Sequence, residues 1–176
     1  MKTSCLAPLL LAAAMFGFAT TTAVAMPKAG DTAPLFSGED QNGKMVILAD
    51  FIGKKNVLLY FYPKDFTGGC TKEACGFRDR MGDLQKDNVD VVGVSFDSAD
   101  SHKKFAARYN LNFSLLADPD GKIADAYGVR MAGKSMAQRV SFLIGTDGRI
   151  IHVTDAGNPD THFKEMQAAI ADLKSK

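Results

Sequence analysis

The chain has 176 residues, of which 46% are hydrophobic and 23% charged, with 21 Lys and Arg against 20 Asp and Glu. This length predicts a single domain, and the ordinary composition argues against a disordered or collagen-like chain. A formal charge of +1 gives no basis for nucleic-acid binding, which requires a concentrated basic face. Three cysteines are too few for a disulfide scaffold.

The first 25 residues have the pattern of a secretory signal peptide. Lys2 is their only charge, residues 6–18 form an apolar run, and Ala23-Val24-Ala25 supplies the small residues that a signal peptidase requires. The apolar run is short for a membrane span. An uncleaved anchor helix is the alternative.

Cleavage after residue 25 leaves a mature chain covering 26–176, and it removes Cys5 with the signal. The mature chain then keeps two cysteines, Cys70 and Cys75. We expect it to be exported and, in a bacterium, periplasmic. In such an oxidising compartment, a pair of thiols becomes a disulfide unless a reductant acts on it.

The mature chain alternates between strand and helix patterns. Asn42-Gly43 marks the turn of an N-terminal hairpin over 33–50. Further strands are predicted over 57–62, 89–96, 113–116, 140–144 and 150–153, and helices over 70–86, 98–109, up to 127 and over 161–173. This order predicts an α/β protein with a mixed central sheet flanked by helices. It is the layout of a thioredoxin-like fold with an added N-terminal hairpin.

The chemistry is concentrated around Cys70, which follows a glycine-rich loop and opens a predicted helix. The first N–H groups of a helix lack intrahelical partners and carry the positive end of the macrodipole, so a thiolate is stabilised there. Gly68 and Gly69 allow a tight turn and a close approach of substrate to the backbone. The Thr67 hydroxyl is within reach of the sulfur or of an incoming oxygen. The alternative is a buried structural cysteine, with Thr67 as a simple helix cap.

Cys75 lies five residues after Cys70. In an intact helix this spacing separates the two residues by about 140° and roughly 7.5 Å of rise, so their Cα atoms are roughly 8.7 Å apart. A disulfide needs about 7 Å or less. The pair can therefore close only if the helix start unwinds. Such a pair suits a two-step reaction, in which one thiol reacts in the folded state and the second reacts after local unfolding.

Residues 62–79 (YPKDFTGGCTKEACGFRD) resemble the signature of peroxiredoxins. In particular, they are similar to the Q-type subfamily, also called bacterioferritin comigratory protein. The Pro-x-x-x-Thr-x-x-Cys core is present as Pro63, Thr67 and Cys70, and Cys75 is similar to the resolving cysteine of that subfamily.

A second segment, residues 138–144, resembles the strand that carries the active-site arginine of this family, here Arg139. The resemblance extends from Gly30 to about Leu173. One position departs from it, because many members have Pro-Gly before the cysteine where this chain has Gly68-Gly69.

The resemblance implies that the Cys70 thiolate attacks the O–O bond of a peroxide and becomes a sulfenic acid. Thr67 and the backbone N–H groups of Gly69 and Cys70 would hold the peroxide oxygens. Arg139 would stabilise the thiolate and the charge moving onto the leaving oxygen. Pro63 would shield the sulfur from water.

The resemblance further implies that Cys75 condenses with the sulfenic acid to give an intramolecular disulfide, which a thioredoxin-like dithiol protein reduces. The substrates would be hydrogen peroxide and organic hydroperoxides, in antioxidant defence and redox homeostasis. No cofactor, metal, nucleic acid or membrane partner is implied for the mature chain, which we expect to be a monomer.

Two alternatives come from other classes of protein. A thioredoxin-like disulfide oxidoreductase prefers two residues between its cysteines, and this chain has four. A metal-binding module would use Cys70, Cys75 and one of His102, His152 or His162. These histidines form no spaced cluster with the cysteines, and we expect them to be solvated.

Overall fold

The structure is a computed structural model that describes residues 24–173. Most of the predicted signal peptide lies outside this range. Within it, no helix is both long enough and apolar enough to cross a bilayer.

Seven strands and four α-helices are present in the described range. The strands are β1 (Ser37–Glu39), β2 (Met45–Ile47), β3 (Asn56–Phe61), β4 (Val89–Ser95), β5 (Ser114–Ala117), β6 (Val140–Ile144) and β7 (Ile150–Thr154). The helices are α1 (Gly68–Lys86), α2 (Ala99–Tyr109), α3 (Lys122–Ala126) and α4 (Pro159–Asp172). The predicted order of elements is confirmed.

The central sheet has the strand order β5-β4-β3-β6-β7. Strands β3, β4 and β5 run parallel, whereas β6 pairs antiparallel with both β3 and β7. The predicted mixed sheet is therefore confirmed, and β1 and β2 form the separate N-terminal hairpin. Phe61, the last residue of β3, pairs with Val140, the first residue of β6. This register places residue 139 beside the loop that leaves β3.

Strand β3 contributes to two hydrophobic cores, one on each face of the sheet. Leu59 and Phe61 point into a core shared with α3 and the hairpin, whereas Leu58 and Tyr60 point into a core shared with α1, α2 and α4. Successive residues of a strand face opposite sides. The aromatic run in the sequence is thus buried on both faces, as in other sheets covered by helices.

Two helix starts differ from their predicted boundaries by two residues each. Helix α1 begins at Gly68 and not at Cys70. Helix α4 begins at Pro159, two residues before its predicted start, because the Asn158 side chain accepts hydrogen bonds from the N–H groups of Asp160 and Thr161. An Asn cap followed by Pro is a favourable helix start.

Candidate active site

Cys70 is the third residue of α1, and its side chain is buried. Thr67 is the N-terminal cap residue, and the first helical hydrogen bond runs from the Thr71 N–H to the Thr67 carbonyl. The N–H groups of Gly68, Gly69 and Cys70 therefore have no carbonyl partner within the helix. They form an electropositive helix end at the sulfur, where an anion is stabilised.

A guanidinium lies directly against this sulfur. Arg139 immediately precedes β6, and its Nη2 donates to Cys70 Sγ at 3.2 Å. Its Nη1 donates to the carboxylate of Glu73, one turn further along α1. Since Phe61 and Val140 are paired, the sheet fixes the position of Arg139 independently of α1. The predicted cation and the predicted nucleophile are thus in contact.

Glu73 is a member of this site that the sequence analysis missed. Its carboxyl group is buried, and burial raises its pKa to about 7, an effect that the neighbouring Arg139 guanidinium opposes. Charged residues on helices are usually solvated, so the residue type alone gave no signal. The spacing did indicate burial, because Glu73 lies three residues after Cys70 and four before the buried Phe77, on one helix face.

His162, on α4, lies behind Glu73, and the expectation that it is solvated is wrong. Its ring is fully buried, with Nε2 at 2.7 Å from Ser141 Oγ and 3.5 Å from Glu73 Oε1. The other nitrogen, Nδ1, is 3.2 Å from the Ala156 carbonyl. Burial lowers the pKa of His162 to about 4. The neutral ring therefore donates through Nδ1 to Ala156 and accepts the Ser141 hydroxyl at Nε2.

Glu73 and His162 should give opposite pH dependences of stability. The folded pKa of Glu73 is raised from 4.5 to about 7, so its contribution to the free energy of unfolding is lost as pH rises through that window. The folded pKa of His162 is lowered from 6.5 to about 4, so its contribution is lost as pH falls. Each difference corresponds to roughly 3 kcal/mol.

Urea unfolding of the reduced protein between pH 4 and 7.5 measures how Glu73 and His162 together change the free energy of unfolding with pH. We expect Glu73→Gln to leave a stability that rises with pH more steeply than in the wild type. His162→Gln should do the reverse. Equal slopes in the two variants would contradict the assignment.

The structure places Thr67 at the predicted site but not with its hydroxyl on the sulfur. Thr67 is exposed, and its Oγ1 donates to the Lys64 carbonyl at 3.0 Å. It also makes no side-chain capping bond to the helix. Pro63, at the start of the same loop, is half-buried. Both residues therefore border the site, with the Thr67 hydroxyl held by its own loop.

Cys75 lies on the same uninterrupted helix as Cys70, and both thiols are free. Cys75 is half-buried and lines a cavity between α1 and α4, together with Phe163. The helix between the two cysteines is intact, so closing a disulfide requires these turns to open.

Two glycines allow α4 to pack closely on the part of α1 that carries the two cysteines. A Cβ on Gly69 would lie 2.9 Å from Pro159 Cγ, and one on Gly76 would lie 2.9 Å from Phe163 Cε2. A Cβ added to Gly68, by contrast, would meet no atom within 4 Å. Gly69 therefore serves helix packing, whereas Gly68 faces open space.

Within residues 24–173, no three His, Cys, Asp or Glu side chains form a group that could hold a metal ion. His102 is fully buried as well, contrary to the expectation that it is solvated. Its two nitrogens face the Asp65 carboxylate and the Leu116 carbonyl. His152 is half-buried on β7.

A buried thiol held between a helix start and a guanidinium, on a thioredoxin-like sheet, defines a thiol-dependent redox enzyme. Residues 29–153 match the sequence profile of the AhpC/TSA family. The chain is 47% identical over 141 residues to "Peroxiredoxin Bcp" of Escherichia coli, covering 77% of this chain and 90% of that protein.

Two solved structures are similar to the whole domain. Peroxidoxin BcpB of Mycobacterium tuberculosis has a TM-score of 0.77 and 35% identity, covering 86% of this chain and 98% of that one. The bacterioferritin comigratory protein of Xanthomonas campestris, described for its alkyl peroxide reduction activity, has a TM-score of 0.71 and 28% identity, covering 85% and 96%.

The chain therefore belongs to the AhpC/TSA family and, within it, to the Bcp and Q-type peroxiredoxins. It is an enzyme of thiol-dependent peroxide reduction. The predicted family and the predicted thioredoxin-like fold are confirmed.

Proposed function

We propose that Cys70 is the peroxidatic cysteine of this enzyme and that Arg139 activates it. The observation that carries the proposal is the 3.2 Å contact between Arg139 Nη2 and Cys70 Sγ at the start of α1. A positive charge and free N–H groups directed at the sulfur favour the thiolate, which is the nucleophilic form. The Cys70 thiolate attacks one peroxide oxygen, the O–O bond breaks, and the other oxygen leaves as water or an alcohol after taking up a proton. The sulfur becomes a sulfenic acid.

The residues around the sulfur then hold the peroxide. The N–H groups of Gly69 and Cys70 have no intrahelical partner, so they are free to donate to a peroxide oxygen. Arg139 supports the charge that develops on the leaving oxygen. Thr67 and Pro63 border the site. The Thr67 hydroxyl gives its hydrogen to the Lys64 carbonyl, so its oxygen contributes by accepting a hydrogen bond from the peroxide, and Pro63 limits the access of water.

We further propose that Cys75 resolves the sulfenic acid within the same chain. Its thiol attacks the Cys70 sulfur, water leaves, and a disulfide forms. A dithiol protein of the thioredoxin type reduces the disulfide and is itself oxidised. Because Cys70 is buried in the reduced fold, a protein reductant gains access to this sulfur only after α1 has opened. The substrates are hydrogen peroxide and organic hydroperoxides, in line with the alkyl peroxide activity described for the Xanthomonas protein.

The place of action proposed is the bacterial periplasm, with residues 1–25 as a cleaved signal and residues 26–176 as the peroxiredoxin domain. The charge and apolar pattern of the N-terminal segment supports this. We propose that the mature chain acts as a monomer, since both cysteines of the cycle lie on one helix. The N-terminal sequence of the secreted protein tests the cleavage site.

Treatment of the reduced protein with one equivalent of hydrogen peroxide tests the catalytic scheme. We expect a product that has lost two hydrogens, that runs as a monomer on non-reducing electrophoresis, and whose digest contains a peptide linked through Cys70 and Cys75. A wild-type protein that becomes a covalent dimer would overturn the intramolecular step.

Arg139→Lys should lower the rate of Cys70 oxidation at least about tenfold, about 1.4 kcal/mol of barrier. Lysine keeps the charge but cannot donate to Cys70 and Glu73 through two nitrogens of one planar group. Stopped-flow oxidation across a pH series measures both the rate and its pH profile.

Arg149→Lys is the matched control, because Arg149 is exposed and contacts the Gly30 carbonyl away from the sulfur. It should react like the wild type. An Arg139→Lys variant with an unchanged rate and pH profile would count against the proposed role.

A further inference from the structure

The loop between β3 and α1, residues 63–67, carries Pro63 and Thr67, and it is held by Asp65 at its centre. Asp65 is 4% exposed, although aspartate in a loop is usually solvated. Its backbone N–H donates to Asp97 Oδ2 at 2.9 Å. The loop is thus tied through its backbone to the end of β4.

The Asp65 carboxylate is surrounded by donors. Oδ1 accepts the Tyr62 hydroxyl at 2.7 Å, and Oδ2 accepts the Ser101 hydroxyl at 2.7 Å. Oδ2 also lies 2.9 Å from His102 Nδ1, and neither of these two side chains is more than 1% exposed. A carboxylate so deeply buried requires partners of this kind, because isolated buried charges are strongly unfavourable.

His102 faces acceptors on both sides. Nδ1 faces the Asp65 carboxylate and lies 3.3 Å from the Tyr62 hydroxyl oxygen, whose hydrogen is donated to Asp65, and Nε2 lies 3.1 Å from the Leu116 carbonyl. A neutral imidazole donates through one nitrogen only, whereas the imidazolium donates through both. The two acceptors are satisfied together when His102 carries a proton on each nitrogen, opposite the Asp65 carboxylate.

The residue after Asp65 shows why the loop needs an anchor. Phe66 adopts a left-handed backbone with φ of 60°, which is unfavourable for a bulky side chain. The residue is 47% exposed, and its ring contacts the Phe105 ring edge-on. Strained conformations persist only where the surrounding structure holds them. Asp65 supplies such contacts one residue away, through its backbone and its side chain.

We propose that Asp65 and His102 form a buried ion pair that positions the 63–67 loop over the Cys70 thiol, and that both are positioning residues for peroxide reduction. The proposal rests on the proposed roles of Thr67 in holding the peroxide and of Pro63 in limiting the access of water. Neither partner touches the sulfur. Their effect is therefore on the placement of peroxide oxygens and not on the ability of the thiol to react.

Comparing two reactions of Cys70 tests this distinction. Asp65→Asn and His102→Gln should each lower the rate constant for oxidation by hydrogen peroxide about tenfold or more, since small displacements of positioning groups have effects of this size. Alkylation of the same thiol by iodoacetamide should not fall below about half of the wild-type rate, because it requires only the thiolate and access to it, and a displaced loop does not reduce that access. His152→Gln is the matched control and should leave both reactions unchanged.

The double variant Asp65→Asn/His102→Gln tests the ion pair itself. Removing both charges leaves two amides that can hydrogen-bond to each other. The double variant should therefore react with hydrogen peroxide faster than the slower of the two single variants. Should a single variant fail to fold, Ser101→Ala removes one bond to Asp65 and should show the same selective loss to a smaller degree. An unchanged peroxide rate, equal losses in both reactions, or additive losses in the double variant would overturn the proposal. If wild-type Cys70 is itself not oxidised, the proposed function fails and not the ion pair.

Discussion

Replacing Cys70 with serine should reduce peroxide consumption to the level of the protein-free reaction. The serine hydroxyl is a far weaker nucleophile than a thiolate, and the neighbouring Arg139 guanidinium is a donor that cannot remove its proton. The side chains are of similar shape, so the contacts to Arg139 and the packing of α1 should persist. Peroxide consumption in the presence of an excess of dithiothreitol measures the effect.

The control for this experiment is that Cys70→Ser keeps the thermal stability and far-ultraviolet spectrum of the reduced wild-type protein. Cys75 remains in the variant as a second thiol, so the assay also shows whether that thiol reacts with peroxide directly. Substantial turnover by Cys70→Ser would remove Cys70 from the role of nucleophile.

Cys75→Ser should leave the first oxidation step intact and abolish turnover with a protein dithiol. Arg139 directs its two donors at Cys70 and Glu73 in the reduced fold, so the Cys70 sulfur should react with the first equivalent of peroxide at the wild-type rate. Without the second thiol, the product should persist as a sulfenic acid. Further peroxide should then convert it to the sulfinic acid, or two chains should become linked. Intact mass after one and after ten equivalents distinguishes these products.

Intact mass after peroxide treatment can also separate the oxidation of Cys70 from the opening of α1. Gly68 is the first residue of α1, and a Cβ there would have open space. Gly68→Pro should therefore be tolerated, and it should restrict the unwound segment, because proline has fewer backbone conformations than glycine. We expect normal oxidation of Cys70 but slower disulfide formation. In the wild type, hydrogen exchange over residues 69–77 should rise on oxidation. Equal exchange in both states would contradict opening of this segment.

Local sequence patterns predicted the elements of this fold and the reactive cysteine, whereas the arginine that contacts it was predicted only from the family resemblance. The aromatic run of β3 and the apolar spacing of α1 indicate buried surfaces. Predicting these surfaces requires only the neighbouring residues in the sequence. Cys70 was predicted from its position at a helix start, and Arg139 from the resemblance of residues 138–144 to a strand of the peroxiredoxin family. The start of α4 was predicted two residues too late, because the capping signal of Asn158 followed by Pro159 was not used.

The buried polar residues could not be predicted in the same way. Glu73, His102 and His162 are types that usually face solvent, and each is buried because a partner from a distant element meets it. Periodicity nevertheless held a signal. His162 precedes the buried Met166 by four residues, and His102 precedes the buried Phe105 by three. A histidine on the apolar face of a helix indicates a buried partner that the sequence alone does not name.

In the cycle that we propose, one part of the site stays in place and another part moves. Arg139 is held by the start of β6, whereas its two partners, Cys70 and Glu73, belong to the first turns of α1. Opening these turns withdraws both partners at once and leaves the guanidinium without a counterion. A partly buried charge without partners is unfavourable, so we expect the opened state to be less stable than the closed one once the disulfide is gone. On this scheme, the reductant has only to break the disulfide, and we expect the contacts with Arg139 to favour the return of the helix start to its position for the next peroxide.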